Sequence, residues 1–123
     1  MENSRYKFRV WTGKYMDIDV WVNSNGAYGE PDKKHNTPHI EINKYDDDAI
    51  VMQFTGLLDK NGKEIYEGDI YNMGDNTITY TVVWNDSGFI GKQNGSSSYA
   101  GLEYWMDRIE IIGNVYENQN LIN

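Results

Sequence analysis

The stretch from Gln53 to Tyr71, QFTGLLDKNGKEIYEGDIY, limits what this chain can fold into more than any other. Gly56, Gly62 and Gly68 punctuate it, with Asp59, Lys60, Asn61, Lys63, Glu64, Glu67 and Asp69 between them. Such a segment reads as a set of turns joining strands rather than as one regular element. Asn61-Gly62 is a tight-turn signal, because both central residues of that turn take positive φ. The predicted tip is therefore residues 60–63, flanked by Leu57 and Ile65. Gly68-Asp69 then opens a strand through Ile70.

Around this segment the apolar residues recur with a period of two, as in half-buried strands. Tyr6 to Trp11 alternates, with Arg5, Lys7, Arg9 and Lys14 as the expected solvent face of an edge strand. In Met16 to Val22, Met16, Ile18, Val20 and Val22 share one predicted face, and Asp17, Asp19 and Trp21 the other. Ile50 to Phe54, Thr77 to Trp84 and Ile109 to Val115 are further strands, the last interrupted by Gly113. A short strand is expected through Ile40 and Ile42. Residues 23–38, with Pro31 and Pro38, read as a loop, Asp46 to Asp48 as an acidic turn, and residues 92–101, KQNGSSSYAG, as a mobile polar loop. Leu102, Trp105 and Met106 suit a helical turn or a bent strand, and Leu121-Ile122 a short turn.

The expected fold is mainly β: a small strongly bent sheet or an SH3-like partly open barrel with one or two short helical turns. A chain of 123 residues without a long linker suits a single domain, 1–123. The ten Tyr and four Trp agree with a β composition.

Chemistry is harder to find. Cysteine is absent, which removes disulfides, thiolate nucleophiles and cysteine zinc sites. No phosphate-cradling glycine motif and no G-x-S-x-G occurs. Glu64, Glu67 and Asp69 read as turn charges, with Asp69 placed to accept backbone N–H bonds at a strand entrance. His35 and His39, with Asp32 and Glu41, have helical ligand spacing in a segment that contains Pro38 and reads as loop, so a zinc site is not favoured. No cofactor and no metal is expected.

The net charge of −8 works against nonspecific nucleic-acid binding. No run approaches the roughly 18 apolar residues of a membrane helix, and the first residues lack the apolar stretch of a signal peptide. The expectation is a soluble intracellular protein.

Three blocks together resemble the YopX family of phage and prophage proteins: KFRVW at 7–11, QFTGLLDKNGKEIYEGDIY at 53–71, and IEIIGNVYEN at 109–118. Residues 23–48 and 92–101 match no family pattern, and Gln119-Asn120 stands where the family often has a Pro-containing turn. The resemblance implies a mainly β protein of a bacterial host cytoplasm, with no established biochemical role and no catalytic residues to carry over. The family motif, as Gly56, Leu57, Asp59, Asn61, Gly62, Tyr66, Gly68, Asp69, Gly113 and Asn114, reads as fold-defining.

The functional expectation is a non-enzymatic accessory protein that binds a protein partner or self-associates. Trp21, on a face with Asp17 and Asp19, is a possible interface residue. Trp11, Trp84, Trp105, Tyr66, Tyr71 and Tyr80 suit a core, a stacking platform or a peptide groove. The alternatives are an acidic inhibitor imitating nucleic acid, a nucleic-acid-binding small barrel, and a carboxylate- or metal-dependent enzyme.

Overall fold

The alternating segments form strands, and they pair antiparallel in the computed structural model, which describes residues 7–23, 26–29, 43–44 and 48–122. The chain is mainly β. It divides into two compact units, residues 1–53 and 54–123.

In the first unit, strands β1 (Phe8–Trp11), β2 (Met16–Asn23), β3 (Gly26–Gly29) and β4 (Asn43–Lys44) each pair with the next. The free side of β1 pairs with residues 50–53 of β5 (Ile50–Leu58). The Thr12 hydroxyl closes the first hairpin, accepting from the Tyr15 N–H at 3.2 Å, and Gly13 supplies a φ of 99°. Val10 and Val20 are buried together, with Ala49 against them.

Three expectations change in this unit. The edge strand expected around Lys7 and Arg9 is absent: β1 has partners on both sides, and Arg9 is buried. Arg5 lies outside the described residues. The single apolar face of β2 is broken, since Ile18 is 60% exposed while Val20 is buried. The cause is a bulge: Val10 pairs with Asp17 but Phe8 with Val20, so β2 carries one extra residue and its alternation slips. Within the predicted loop 23–38, residues 26–29 form β3. The strand expected through Ile40 and Ile42 and the turn residues Asp46 and Asp47 lie outside the described residues.

In the second unit, residues 54–58 of β5 pair with β6 (Glu64–Tyr66) across a bulge, with Gly56 at φ 88° inside it. Strands β7 (Asp69–Asn72), β8 (Tyr80–Asn85), β9 (Gly88–Gln93), β10 (Tyr99–Gly101) and β11 (Glu110–Asn114) form a five-stranded sheet in the order β10-β9-β8-β7-β11. A short helix, α1 (Leu102–Trp105), links β10 to β11, and a 3-10 turn covers Gln119–Leu121. The bending expected of the strands is present as bulges at Gly56 and between Ile111 and Gly113.

Register places Tyr71, Val82 and Ile111 on one face of this sheet. With Ile65, Leu102 and Ile109 they form the core of the unit. Each fully buried aliphatic side chain of this kind contributes about 1.5–3 kcal/mol relative to exposure. Gly91, opposite Val82, leaves room for the Tyr71 ring: a Cβ there would overlap the phenol oxygen and stand 2.8 Å from Cζ.

The strand expected from Thr77 begins only at Tyr80. Asp75 captures the preceding residues, its Oδ1 accepting from the Thr77 N–H at 2.9 Å and the Thr77 hydroxyl at 2.6 Å. A side chain that satisfies the backbone locally competes with the sheet ladder. Trp84 lies on the face of Val82, two residues on, but is 53% exposed at the hairpin end, edge-on to Phe89. The loop predicted at 92–101 is a hairpin instead: Gln93 belongs to β9, residues 99–101 form β10, and the Gln93 N–H donates to the Ser98 carbonyl at 2.8 Å. Polar composition concealed it because β10 is only three residues long.

Candidate functional site

The turn of the central motif is organised by one carboxylate. Asp59 is buried, and its Oδ1 accepts the N–H groups of Asn61 and Lys63, both at 2.9 Å. Its Oδ2 accepts the N–H of Ile111 at 3.1 Å, 52 residues away. The Lys60 N–H completes the join by donating to the Ile109 carbonyl at 2.9 Å. Together these bonds cap the edge of β11 that faces away from β7. Burial pushes the Asp59 carboxyl up, but the three N–H donors outweigh it and hold the group below its ordinary value. Gly62 sits at φ 83° on the predicted tip, but Asn61 does not take the positive φ expected of it: the Gly62 N–H donates to the Asp59 carbonyl at 3.0 Å, which makes Lys60 and Asn61 the centre of the turn, and Leu57 packs against the core.

The remaining motif residues make comparable joins. Asp69 is buried, and its Oδ2 accepts the Tyr66 N–H at 2.7 Å across the turn through Gly68, whose φ is 89°. The Gly68 peptide bonds in two directions, its N–H donating to the Val82 carbonyl and its carbonyl accepting from the Val115 N–H, each at 2.9 Å. Tyr66 is buried with its ring 5.4 Å from that of Phe54. Asn114 is buried as well, its Oδ1 accepting from the Tyr116 and Glu117 N–H groups at 3.0 and 2.9 Å. Gly113 gives room to Asn118, whose Oδ1 would lie 2.5 Å from a Cβ there.

Trp21 lies in β2 opposite Tyr28, and its side chain falls outside the described residues. So do His35, His39, Asp32 and Glu41. Among the described residues no three His, Cys, Asp or Glu side chains group as metal ligands, and no helix is long and apolar enough to cross a membrane.

The most suitable binding feature is a cleft of about 240 Å³ lined by Met73, Asp75, Ile78, Tyr80, Trp105 and Arg108. The turn after β7 supplies Met73 and Asp75, the approach to β8 supplies Ile78 and Tyr80, and the end of α1 supplies Trp105. Tyr80 stacks on the buried Tyr71, centroids 5.2 Å apart and planes 12° from parallel. Trp105 packs on the core between two buried anchors in sequence, Leu102 and Ile109. The Arg108 N–H donates to the Trp105 carbonyl at 2.8 Å, and its guanidinium stands 5.8 Å from the indole centroid, within cation–π range. The two Thr77 bonds, side chain first, hold Asp75 below its ordinary pKa.

A larger cleft, of about 470 Å³, runs along Leu57, Leu58, Lys60 and Met106. Two of its polar groups already have partners in the fold, Asp59 holding three backbone donors and Lys60 pairing with Glu110 at 3.2 Å, and the third, Asp107, adds negative charge to an already acidic chain. In the smaller cleft the exposed Arg108 sets its charge over the Trp105 ring, an arrangement suited to binding. Sequence reading singled out Tyr80 and Trp105 but not Arg108, Asp75, Met73 or Ile78. The spacing of Trp105 and Arg108, three apart at the end of a helical turn, was the available signal.

A family model described as YopX protein matches residues 7–123. The crystal structure of protein EF1440 from Enterococcus faecalis is similar at 27% identity and a TM-score of 0.66, over 95% of this chain and 97% of that one. The crystal structure of yopX from Bacillus subtilis is similar at 20% identity and a TM-score of 0.64, over 97% of each chain, a likeness of fold. No curated protein matches.

Proposed function

Since this chain belongs to the YopX family, matched over residues 7–123, we propose that it is a non-enzymatic accessory protein of a phage or prophage. It acts in the bacterial host cytoplasm by binding another macromolecule. The carrying observation is the cleft in which Tyr80 and Trp105 present aromatic surface beside an exposed guanidinium. Aromatic residues and arginine dominate the energetic centres of protein contacts. Tyr104, beside the cleft's Trp105 and 79% exposed, extends the same surface.

The proposal assigns the family motif to architecture. Asp59 and Asp69 hold backbone N–H groups with their carboxylates, which leaves them poor candidates for acid–base work, and Asn114 does the same with an amide that does not titrate. The same burial takes Asp59 and Asp69 out of any exposed acidic stripe that would imitate nucleic acid.

Affinity capture from lysogenic host cells, with the parent protein and Arg108→Glu as paired baits, tests this function. A partner retained by the parent and lost by the folded variant is the expected result. Equal retention of every partner would move binding away from the cleft. Turnover of a substrate by the purified protein would overturn the non-enzymatic reading.

A further inference from the structure

We infer that the cleft takes a single apolar side chain from an extended segment of a partner protein, with Arg108 pairing an acidic residue beside that anchor. This rests on the binding function proposed above and goes further by naming the chemistry of the partner.

Size sets the first limit. A volume of about 240 Å³ lies below the roughly 300–1,000 Å³ of pockets that enclose whole small molecules, and it suits one large side chain. The walls are Met73, Ile78, Tyr80 and Trp105, which offer an apolar residue both flat rings and an adaptable thioether.

Rigidity sets the second. Trp105 and Arg108 belong to one turn, closed by the Arg108 N–H to the Trp105 carbonyl and by the Ile109 N–H to the Met106 carbonyl at 3.3 Å. Leu102 and Ile109, both buried, pin the two ends. Tyr80 is held by its stack on Tyr71, and the residue before it by the Asn94 N–H donating to the Thr79 carbonyl at 2.9 Å. A site assembled before binding loses little ordering entropy when it is filled.

Charge sets the third. A guanidinium presents a planar fork of donors that matches a carboxylate. Arg108 is the cation of this cleft, on a chain of net charge −8. Asp75 also lines the cleft, with its Oδ1 held by the Thr77 N–H and hydroxyl. A nucleic acid would find the same rings to stack on, but it would bring a run of phosphates to one guanidinium on a chain of net charge −8, where a peptide brings one carboxylate. One carboxylate beside an apolar anchor is the better match.

A random linear peptide library displayed on yeast, selected against the labelled protein, tests the inference. Enriched peptides are expected to share a large apolar residue with Asp or Glu within two positions. A synthetic peptide of that pattern should bind Arg108→Glu at least about tenfold more weakly, and selection on that variant should favour Lys or Arg instead. Because Arg108 is exposed, this variant keeps the fold, checked by circular dichroism; Trp105→Ala is the harsher second variant. Enrichment without acidic residues, or the same peptides on both baits, would overturn the inference while leaving the binding function standing. So would no enrichment alongside Arg108-dependent capture from cells. Saturable binding of single-stranded DNA at physiological salt would assign the cleft to nucleic acid instead.

Discussion

At the scale of single residues, the second unit is built around what particular side chains exclude or satisfy. Tyr71 is fully buried, its ionisation is pushed well above the usual phenol range by that burial, and its hydroxyl has no hydrogen-bond partner among the described residues. The end of its ring reaches Gly91, two strands away, where a Cβ would overlap the phenol oxygen. Gly91→Ala should therefore cost about 1–3 kcal/mol in chemical unfolding, as overpacking does. Tyr71→Phe should be neutral or stabilising by about 1 kcal/mol, since it removes an unsatisfied buried hydroxyl. Combined, the two changes should cost less than their sum, because the phenol oxygen is the atom a Cβ would strike. Strict additivity would show that the two positions do not meet. None of this was legible in the sequence, where Gly91 is one more glycine and Tyr71 one more aromatic; a close approach across strands has no local signature.

At the scale of elements, turns were easier to read than strand ends. Asn61-Gly62 marked the turn but not its type: of the two residues expected at positive φ only Gly62 takes it, and the Gly62 N–H closes on the Asp59 carbonyl at 3.0 Å, so the turn centres on Lys60 and Asn61, one residue earlier. The bulge in β2 and the late start of β8 were hidden, the first because register depends on the partner strand, the second because Asp75 diverts Thr77. What Asp59 does for β11 was also hidden, since its third donor comes from 52 residues away. That carboxylate makes a pH prediction with a definite sign. Its folded pKa is depressed, so its contribution is fully present above the unfolded value of 3.8 and disappears as pH falls through the lower folded value. Urea midpoints measured from pH 6 downward should fall below about pH 4, and Asp59→Asn should flatten part of that decline. An unchanged acid profile in the variant would remove Asp59 from it. The exposed Lys60–Glu110 pair that lies nearby should contribute at most about 1 kcal/mol.

At the scale of the whole molecule, architecture and contact are assigned to different residues. The family match spans both units, 7–123, and β5 supplies a ladder to each, residues 50–53 to β1 and 54–58 to β6. On that ground we propose that residues 1–123 unfold as a single domain, in one calorimetric transition; two resolved transitions would contradict it. The central motif, in turn, is held to build the fold, with the cleft of Tyr80, Trp105 and Arg108 serving for contact. The most direct test is the thermal midpoint of Asp59→Asn. Asparagine keeps the shape but offers one acceptor oxygen, so at least one buried N–H loses its partner, at a cost of about 1–3 kcal/mol. A fall of roughly 3–15 °C is expected for a chain of this size, with Arg108→Glu unchanged beside it. An Asp59→Asn protein that melts with its parent would contradict the architectural role of the motif.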